Sequence, residues 1–323
     1  MKIVKESSGY LEMKMISINK EISEIRDKLS SNQKQLDETR REKYNVDLQL
    51  EEAKQSINSK KNIWILSIVI IIILSLFSYS IGTLIPVVLS VFVVLPIAAY
   101  FSKDYFKDLK IYDEQNRIYE EKAKKIGEYD KIIGQYNEEL KNLDKKYNDY
   151  DKGLIGEKKV TEMLMKLEYD DYLINDVTLD KAFGNIDHIL VSRYGIFIIE
   201  TKNWDGEIVC NEDSWNKHYE NEYNLFDIDI GSLSKRVKGN ARNLRLLIEA
   251  KIFNNLVNVW VEGIIVFANA NAKIKIINPT VPVLTIEELS EYIKRQQPPA
   301  NFSPKDLESI ANFILREAKD RDD

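Results

Sequence analysis

Residues Asn185 to Lys202 read NIDHILVSRYGIFIIETK, two runs rich in Ile, Val, Leu and Phe around the turn-forming Ser192-Arg193-Tyr194-Gly195. Apolar and β-branched runs separated by such a break predict a tight β-hairpin, Ile186–Val191 followed by Gly195–Lys202. Side chains alternate along a strand, so Asp187, Ile189 and Val191 share one face, as do Ile196, Ile198, Glu200 and Lys202. A turn that pairs Val191 with Ile196 sets Ile189 against Ile198 and Asp187 against Glu200. Two carboxylates then stand opposite one another, roughly 5 Å apart at Cβ, on an otherwise apolar face.

Like charges in that arrangement are destabilising, and burying them costs more still. A divalent cation between them removes the conflict, because Mg²⁺ takes oxygen ligands and is held by few carboxylates plus waters. Lys202, one step along the same face, is placed to orient a water or steady a developing negative charge. A third carboxylate comes from Gly153–Leu167, where Val160, Met163, Leu164 and Leu167 recur at helical spacing and define a core-facing stripe. Glu157 falls on that stripe, whereas Lys158, Lys159 and Glu162 point elsewhere. The plainer alternative is a half-solvated strand end carrying three unrelated charges.

GxxGE on a helix, an IDH strand and then GIFIIETKNWDG together resemble the nuclease-related domain (NERD) of the PD-(D/E)xK nuclease superfamily, from about Gly153 to about Ile293. The resemblance implies an α/β fold, a restriction-endonuclease-like mixed sheet flanked by helices. It implies a catalytic set of Glu157, Asp187, Glu200 and Lys202, with Asp187, Glu200 and Glu157 as ligands of Mg²⁺ or Mn²⁺. The implied reaction is hydrolysis of nucleic-acid phosphodiester bonds, in DNA rather than RNA. Ile186, not Pro, precedes the Asp, and the Gln-containing motif expected near residues 232–250 has no counterpart.

With 323 residues and 44% hydrophobic content, the chain should hold more than one structural unit. A single cysteine, Cys210, argues for a reducing compartment and against a zinc cluster. A net charge of -6 requires any nucleic-acid contact to use a local basic patch. Only two histidines are present, so a histidine-based metal site is not expected. His188 lies on the strand face opposite Asp187 and reads as structural or partly exposed.

From Leu11 to about Lys60 the chain is charged and free of Gly and Pro, with an apolar heptad through Met15, Ile22, Leu29, Leu36, Leu50 and Ile57. Ile63–Phe101 then lacks any charged residue, a length suited to two membrane spans of about 20 residues each. Ile63–Tyr79 and Leu84–Phe101 are the expected spans, broken near Gly82. Lys60 and Lys61 before the hairpin and Lys103 and Lys107 after it place both flanks, and both termini, on the cytoplasmic side of a cell membrane. The apolar run begins too deep in the chain for a signal peptide. Lys103–Tyr150 mirrors the first arm, with Ile126, Ile133, Leu140 and Tyr147 every seven residues. The arms are expected to zip into an antiparallel coiled-coil stalk, or to form a parallel homo-oligomer. The resulting division is an N-terminal arm over 1–61, a transmembrane hairpin over 62–102, a second arm over 103–152 and a nuclease-like domain over 153–323.

Within that last domain, Tyr172–Thr178, Gly206–Cys210, Val259–Ala268 and Val281–Thr285 read as further strands. Ile286–Arg295 and a segment from Ser303-Pro304 to about Lys319 read as helices. Asn211–Asp229 carries Trp215, Tyr219, Tyr223 and Phe226, which either pack or stack on bases over the cleft. Ser232–Ala250 reads as a helix with Leu233, Val237, Ala241, Leu244 and Ile248 toward the core. Lys235, Lys238, Arg242 and Arg245 line another face with Arg236 beside them, and no acid interrupts them, which suits nucleic-acid phosphates. Two other functions fit the same sequence: a nucleic-acid-binding module that does not cut, and a membrane scaffold or sensor acting through its stalk.

Overall fold

The computed structural model describes the chain apart from residues 1, 6–8, 83–84, 86–87, 89, 168–170, 180–183, 221–224, 255, 299–300 and 318–323. Its elements, in order, are β1 (Lys2–Lys5), α1 (Tyr10–Ile81), α2 (Leu95–Leu164), β2 (Tyr172–Val177), β3 (Ile186–Ser192) and β4 (Gly195–Lys202). There follow β5 (Gly206–Asn211), β6 (Ser214–Glu220), β7 (Leu225–Asp229), α3 (Leu233–Lys251), β8 (Val261–Phe267), β9 (Ala272–Ile277) and β10 (Val283–Thr285). α4 (Ile286–Lys294) and α5 (Pro304–Glu317) close the chain. It divides into two units, Met1–Lys20 with Leu143–Asp323, and Glu21–Asn142.

In the first unit the hairpin register is the one the turn dictates: Ser192 pairs with Gly195, Val191 with Ile196, Ile189 with Ile198 and His188 with Ile199. β4 lies in the interior of a six-stranded mixed sheet ordered β1-β2-β3-β4-β8-β10, paired antiparallel to β3 and parallel to β8. A strand covered on both faces reads as a continuous apolar run, which is why GIFII shows no polar alternation. On one face Ile189, Val191, Ile196 and Ile198 pack against Ala241, Leu244 and Ile248 of α3 and Leu307, Ile310 and Ile314 of α5. On the other, Leu190, Phe197 and Ile199 meet Val160 and Leu164 of α2 and Leu289 and Ile293 of α4.

Sequence reading anticipates one sheet, and the structure has two. β5 and β6, with β7 and β9 outside them, form a four-stranded sheet ordered β7-β6-β5-β9. Trp215 anchors it: fully buried, it stacks on Phe267 of β8 at 6.2 Å and donates from Nε1 to Ser234 Oγ at 2.7 Å. Trp215 is therefore a packing residue and unavailable to bases; Tyr223 lies outside the described residues.

The domain boundaries differ as well. β1 pairs in parallel with β2, and Lys2 N donates to Asp171 O at 2.8 Å, so the first residues of the chain complete the sheet. A four-residue parallel strand so far in sequence from its partner carries no local signal. α2 passes residue 152 without a break, so the second arm and the first helix of the domain are one element. The loop expected over Asp180–Asn185 and the last residues of the helix expected to reach Lys319 lie partly outside the described residues.

In the second unit α1 and α2 run antiparallel, since their partners descend on one helix as they rise on the other. Arg40 pairs with Asp130 at 3.2 Å, Glu42 with Lys122 at 2.5 Å and Lys60 with Asp108 at 2.7 Å. Ile22, Ile25, Leu36 and Leu50 are buried along α1. Among the described residues α1 is the one helix with a stretch long and apolar enough to cross a membrane. Ile65, Leu66, Ile72, Ile73, Leu76 and Phe77 within that stretch are exposed. The second expected span, Leu84–Phe101, includes Leu84, Pro86, Val87 and Leu89, which lie outside the described residues.

Gly263 lets α3 close on the sheet. A Cβ there would lie 2.2 Å from Val237 Cγ1 and 3.0 Å from Val237 O, so relief requires moving helix backbone as well as a side chain. Gly263→Ala is expected to destabilise the first unit by about 1–3 kcal/mol, the usual cost of overpacking, read as a lowered thermal midpoint. An unchanged midpoint would mean that α3 sits more loosely than this contact indicates.

Candidate active site

The hairpin register, continued one step past His188 and Ile199, brings Asp187 opposite Glu200. Asp187 Oδ2 accepts a hydrogen bond from the backbone N of Thr201 at 2.7 Å, which fixes this carboxylate against the end of β4. Glu200 is 3% exposed. Burial first, and then the charge of Asp187, push its pKa above the usual glutamate range, against the opposing pull of Lys202 and Arg236.

Two cations answer that charge. Lys202 Nζ, on a side chain 16% exposed, pairs with Glu200 Oε1 and also donates to Thr201 O at 3.1 Å. Arg236 Nη2 reaches the same Oε1 from the first turn of α3. That turn is capped by Ser232, whose side chain accepts from Lys235 N. α3 covers the sheet face that carries Ile196 and Ile198, and Glu200 is the next residue of that face, so a cation in the first turn of α3 meets it.

Glu157 approaches from the opposite layer. Gly156 packs so closely on the strand end that a Cβ there would lie 2.7 Å from Asn203 Cβ and 3.4 Å from Thr201 Cγ2. Glycine at this position admits α2 to the end of β4 and carries the half-buried Glu157 to the cavity. A polar cavity of about 600 Å³ is lined by Glu157, Asp187, Glu200 and Lys202, together with Arg236 and Asn185. All four residues read as catalytic from sequence thus share one wall system.

Behind the site, His188 is 1% exposed and bridges two strands. Its Nδ1 is 2.9 Å from Asn175 Oδ1 on β2 and its Nε2 is 3.0 Å from Thr201 Oγ1 on β4. Asparagine Oδ1 only accepts, so Nδ1 carries the proton and Nε2 accepts from the Thr201 hydroxyl. Burial holds the His188 pKa down at about 4, so the ring is neutral at pH 7. The expectation of a structural histidine stands; that of partial exposure does not, because β2 and β4 enclose it.

The basic stripe of α3 divides. Lys235, Arg242 and Arg245 are exposed, as a phosphate-contacting face requires. Lys238 instead pairs with Asp213 at 2.8 Å and donates to Thr280 Oγ1 at 3.0 Å, and Arg236 turns inward to Glu200. The acids that claim these two residues lie on β4 and the β5–β6 turn, far from α3 in sequence, so the absence of acids within the helix gave no warning. Asn185 and Arg236 are among the cavity residues that the hairpin pattern did not mark.

The donor set fits a small hard cation in part. Asp187 and Glu200 are oxygen donors placed where their charges repel, the situation a divalent ion relieves. Among the described residues no group of three or more His, Cys, Asp or Glu side chains gathers at ligating distance. An ion here would rest on the Asp187–Glu200 pair and water, with Glu157 on the surrounding wall.

The chain is 39% identical over 77 residues to an uncharacterized protein of Bacillus anthracis, a match that covers 23% of this chain and 36% of that protein. No solved structure matches. Residues 152–268, which contain Glu157, Asp187, Glu200, Lys202 and Arg236, match the nuclease-related domain. The chain therefore carries a nuclease-related domain, NERD, over residues 152–268.

Proposed function

We propose that this protein is a membrane-tethered, metal-dependent nuclease that hydrolyses nucleic-acid phosphodiester bonds, DNA in preference to RNA. The observation that carries this reading is the meeting of Asp187, Glu200 and Lys202 on the wall of one polar cavity within the nuclease-related domain. Asp187 and Glu200 would hold Mg²⁺ or Mn²⁺, with Glu157 orienting water around it. Such an ion, when bound, lowers the pKa of a coordinated water and offsets charge on the phosphoryl oxygens. The Thr201 N–H holds the Asp187 carboxylate in a fixed direction. The ammonium of Lys202 is held by Glu200 and Thr201 O and lies 5.6 Å from the centre of the Trp204 ring, and it would stabilise the negative charge that builds on the phosphoryl group. Lys235, Arg242 and Arg245 would guide the phosphate backbone from the exposed face of α3.

The tether would be two spans, Ile63–Tyr79 and Leu84–Phe101, with both termini in the cytoplasm. The exposed apolar residues of α1, and Ile85, Phe92, Leu95 and Ile97 beyond Gly82, support that reading, since surface of this kind is stable in lipid and costly in water. Positively charged Lys60, Lys61, Lys103 and Lys107 at its ends support the orientation. The antiparallel partners of α1 and α2 favour a stalk closed within one chain.

The test uses the full chain in detergent, because Lys2–Lys5 and Leu11 belong to the same unit as the cavity. Plasmid and linear DNA should be cut in Mn²⁺ and not in EDTA, and Lys202→Ala should slow cutting on the order of a hundredfold, the scale of losing one charge-stabilising donor. DNA that is bound and never cut would reassign the domain to binding alone. Full activity in EDTA would remove the metal from the reading.

A further inference from the structure

Resting on the nuclease reading, we propose that Asn185 and Arg236 form a phosphate subsite beside Asp187 and Glu200 that takes the non-bridging oxygens of a nucleic-acid phosphodiester. A guanidinium offers five N–H donors in a rigid fork. Arg236 uses Nη2 on Glu200, while its Nε is buried and without a hydrogen-bond partner among the described residues. Asn185 lines the same cavity two residues before Asp187, and its Oδ1 and Nδ2 are likewise buried and unpartnered among the described residues. Buried polar groups normally find partners, so two side chains with unsatisfied N–H donors on one wall point to an acceptor that arrives with the ligand.

The chemistry of the wall narrows what that acceptor is. A metal ion accepts no hydrogen bonds, so the acceptor is an anionic oxygen of the substrate, and the nuclease reading makes that substrate a phosphodiester. A phosphodiester offers two oxygens that match the guanidinium fork, and the positive charges of Arg236 and Lys202 lie beside it. The pair with Glu200 also aims the fork, and the backbone at Gly184 flanks its stem, since a Cβ there would lie 4.0 Å from Arg236 Cδ. The arginine is thus oriented by the same carboxylate that the nuclease reading uses, so substrate phosphate and Glu200 are held in register. The basic face of α3 brings nucleic acid to the domain, and Arg236 marks which phosphate lies at the carboxylates.

The experiment measures binding of a fluorescent DNA duplex by the full chain in detergent, in EDTA, across a salt series, with cleavage kinetics in Mn²⁺ alongside. Arg236→Gln should weaken binding about tenfold and lower the slope of log affinity against log salt by about 0.9, the loss of one phosphate contact. Asn185→Ala should weaken binding and raise KM while leaving that slope unchanged, because it removes a neutral donor. A purely structural role for either residue would not produce this split in salt dependence. If Arg236→Gln fails to fold, Asn185→Ala decides alone. A wild type that binds and cuts, with both variants unchanged in affinity, slope and KM, overturns the subsite and leaves the nuclease reading intact. A wild type that neither binds nor cuts overturns both.

Discussion

Asp187→Asn is expected to slow metal-dependent cleavage on the order of a thousandfold while leaving the thermal midpoint of the metal-free protein unchanged or raised. Activity and stability part here because the two carboxylates repel. The asparagine oxygen can still accept from Thr201 N, the contact that Asp187 Oδ2 makes at 2.7 Å, so the junction of β3 and β4 keeps its hydrogen bond. What disappears is a negative charge opposite a buried glutamate whose pKa burial and Asp187 together raise. A raised carboxyl pKa in the folded state means that ionisation opposes folding at neutral pH, so removing one cause of the rise favours the folded protein there. Relief of a directly opposed like-charge pair is on the order of 0.5–1 kcal/mol. Adding Mn²⁺ should then raise the midpoint of the wild type through preferential binding to the folded state, and leave the variant unmoved. Melts in EDTA and in Mn²⁺, beside a plasmid-nicking assay, read both quantities. A metal-free melt several degrees below wild type would make Asp187 a structural residue and remove it from the catalytic assignment.

The same pair shows how far the sequence reaches. The hairpin was legible because a break at Ser192–Gly195 and strict side-chain alternation leave one register that buries Ile189, Val191, Ile196 and Ile198 together, and the structure has that register. Glu157 was legible because a charge on an apolar helical stripe needs a reason to be there. Arg236 was legible as a basic residue but not as a neighbour of Glu200. Helical periodicity assigns a face, whereas the partner across that face is set by how α3 lies on β4 and β8. Gly263, which sets one such approach, looks in sequence like any other glycine inside a strand.

Longer-range pairing was the harder part. β1 holds four residues and joins β2 across the whole of α1 and α2, and the second sheet is built partly from the polar run SWNKHYE, which lacks a strand's apolar alternation. Its stability comes from Trp215 on Phe267, a contact between the two sheets that neither segment announces alone. The exposed apolar face of α1 had the opposite character. Composition over a window is enough to detect such a stretch, because the signal is local and needs no distant partner.

Through His188 alone the protein is expected to lose about 3 kcal/mol of stability between pH 7 and pH 4. The ring is fully enclosed, and burial lowers its pKa from 6.5 to about 4, with the charges of Glu200 and Asp176 opposing the shift. The unfolded chain takes up a proton near pH 6.5, while the folded chain refuses it until about pH 4. The contribution is therefore complete above pH 6.5, declines as pH falls through the interval, and is exhausted near pH 4. A separation of roughly 2.5 pKa units at about 1.4 kcal/mol each gives the stated size. Urea melts in detergent and EDTA, followed by tryptophan fluorescence, would compare wild type with His188→Gln at several pH values. Carboxylates common to both proteins titrate in both, so the difference isolates the ring, and parallel curves would show that it titrates normally in the folded state. The consequence reaches the candidate active site through a short path. Nε2 holds the Thr201 hydroxyl, and the backbone N of the same threonine holds Asp187. A protonated ring can no longer accept that hydroxyl, so acid should loosen the end of β4 that carries Glu200 and Lys202, and cleavage should fall over the same pH interval as stability.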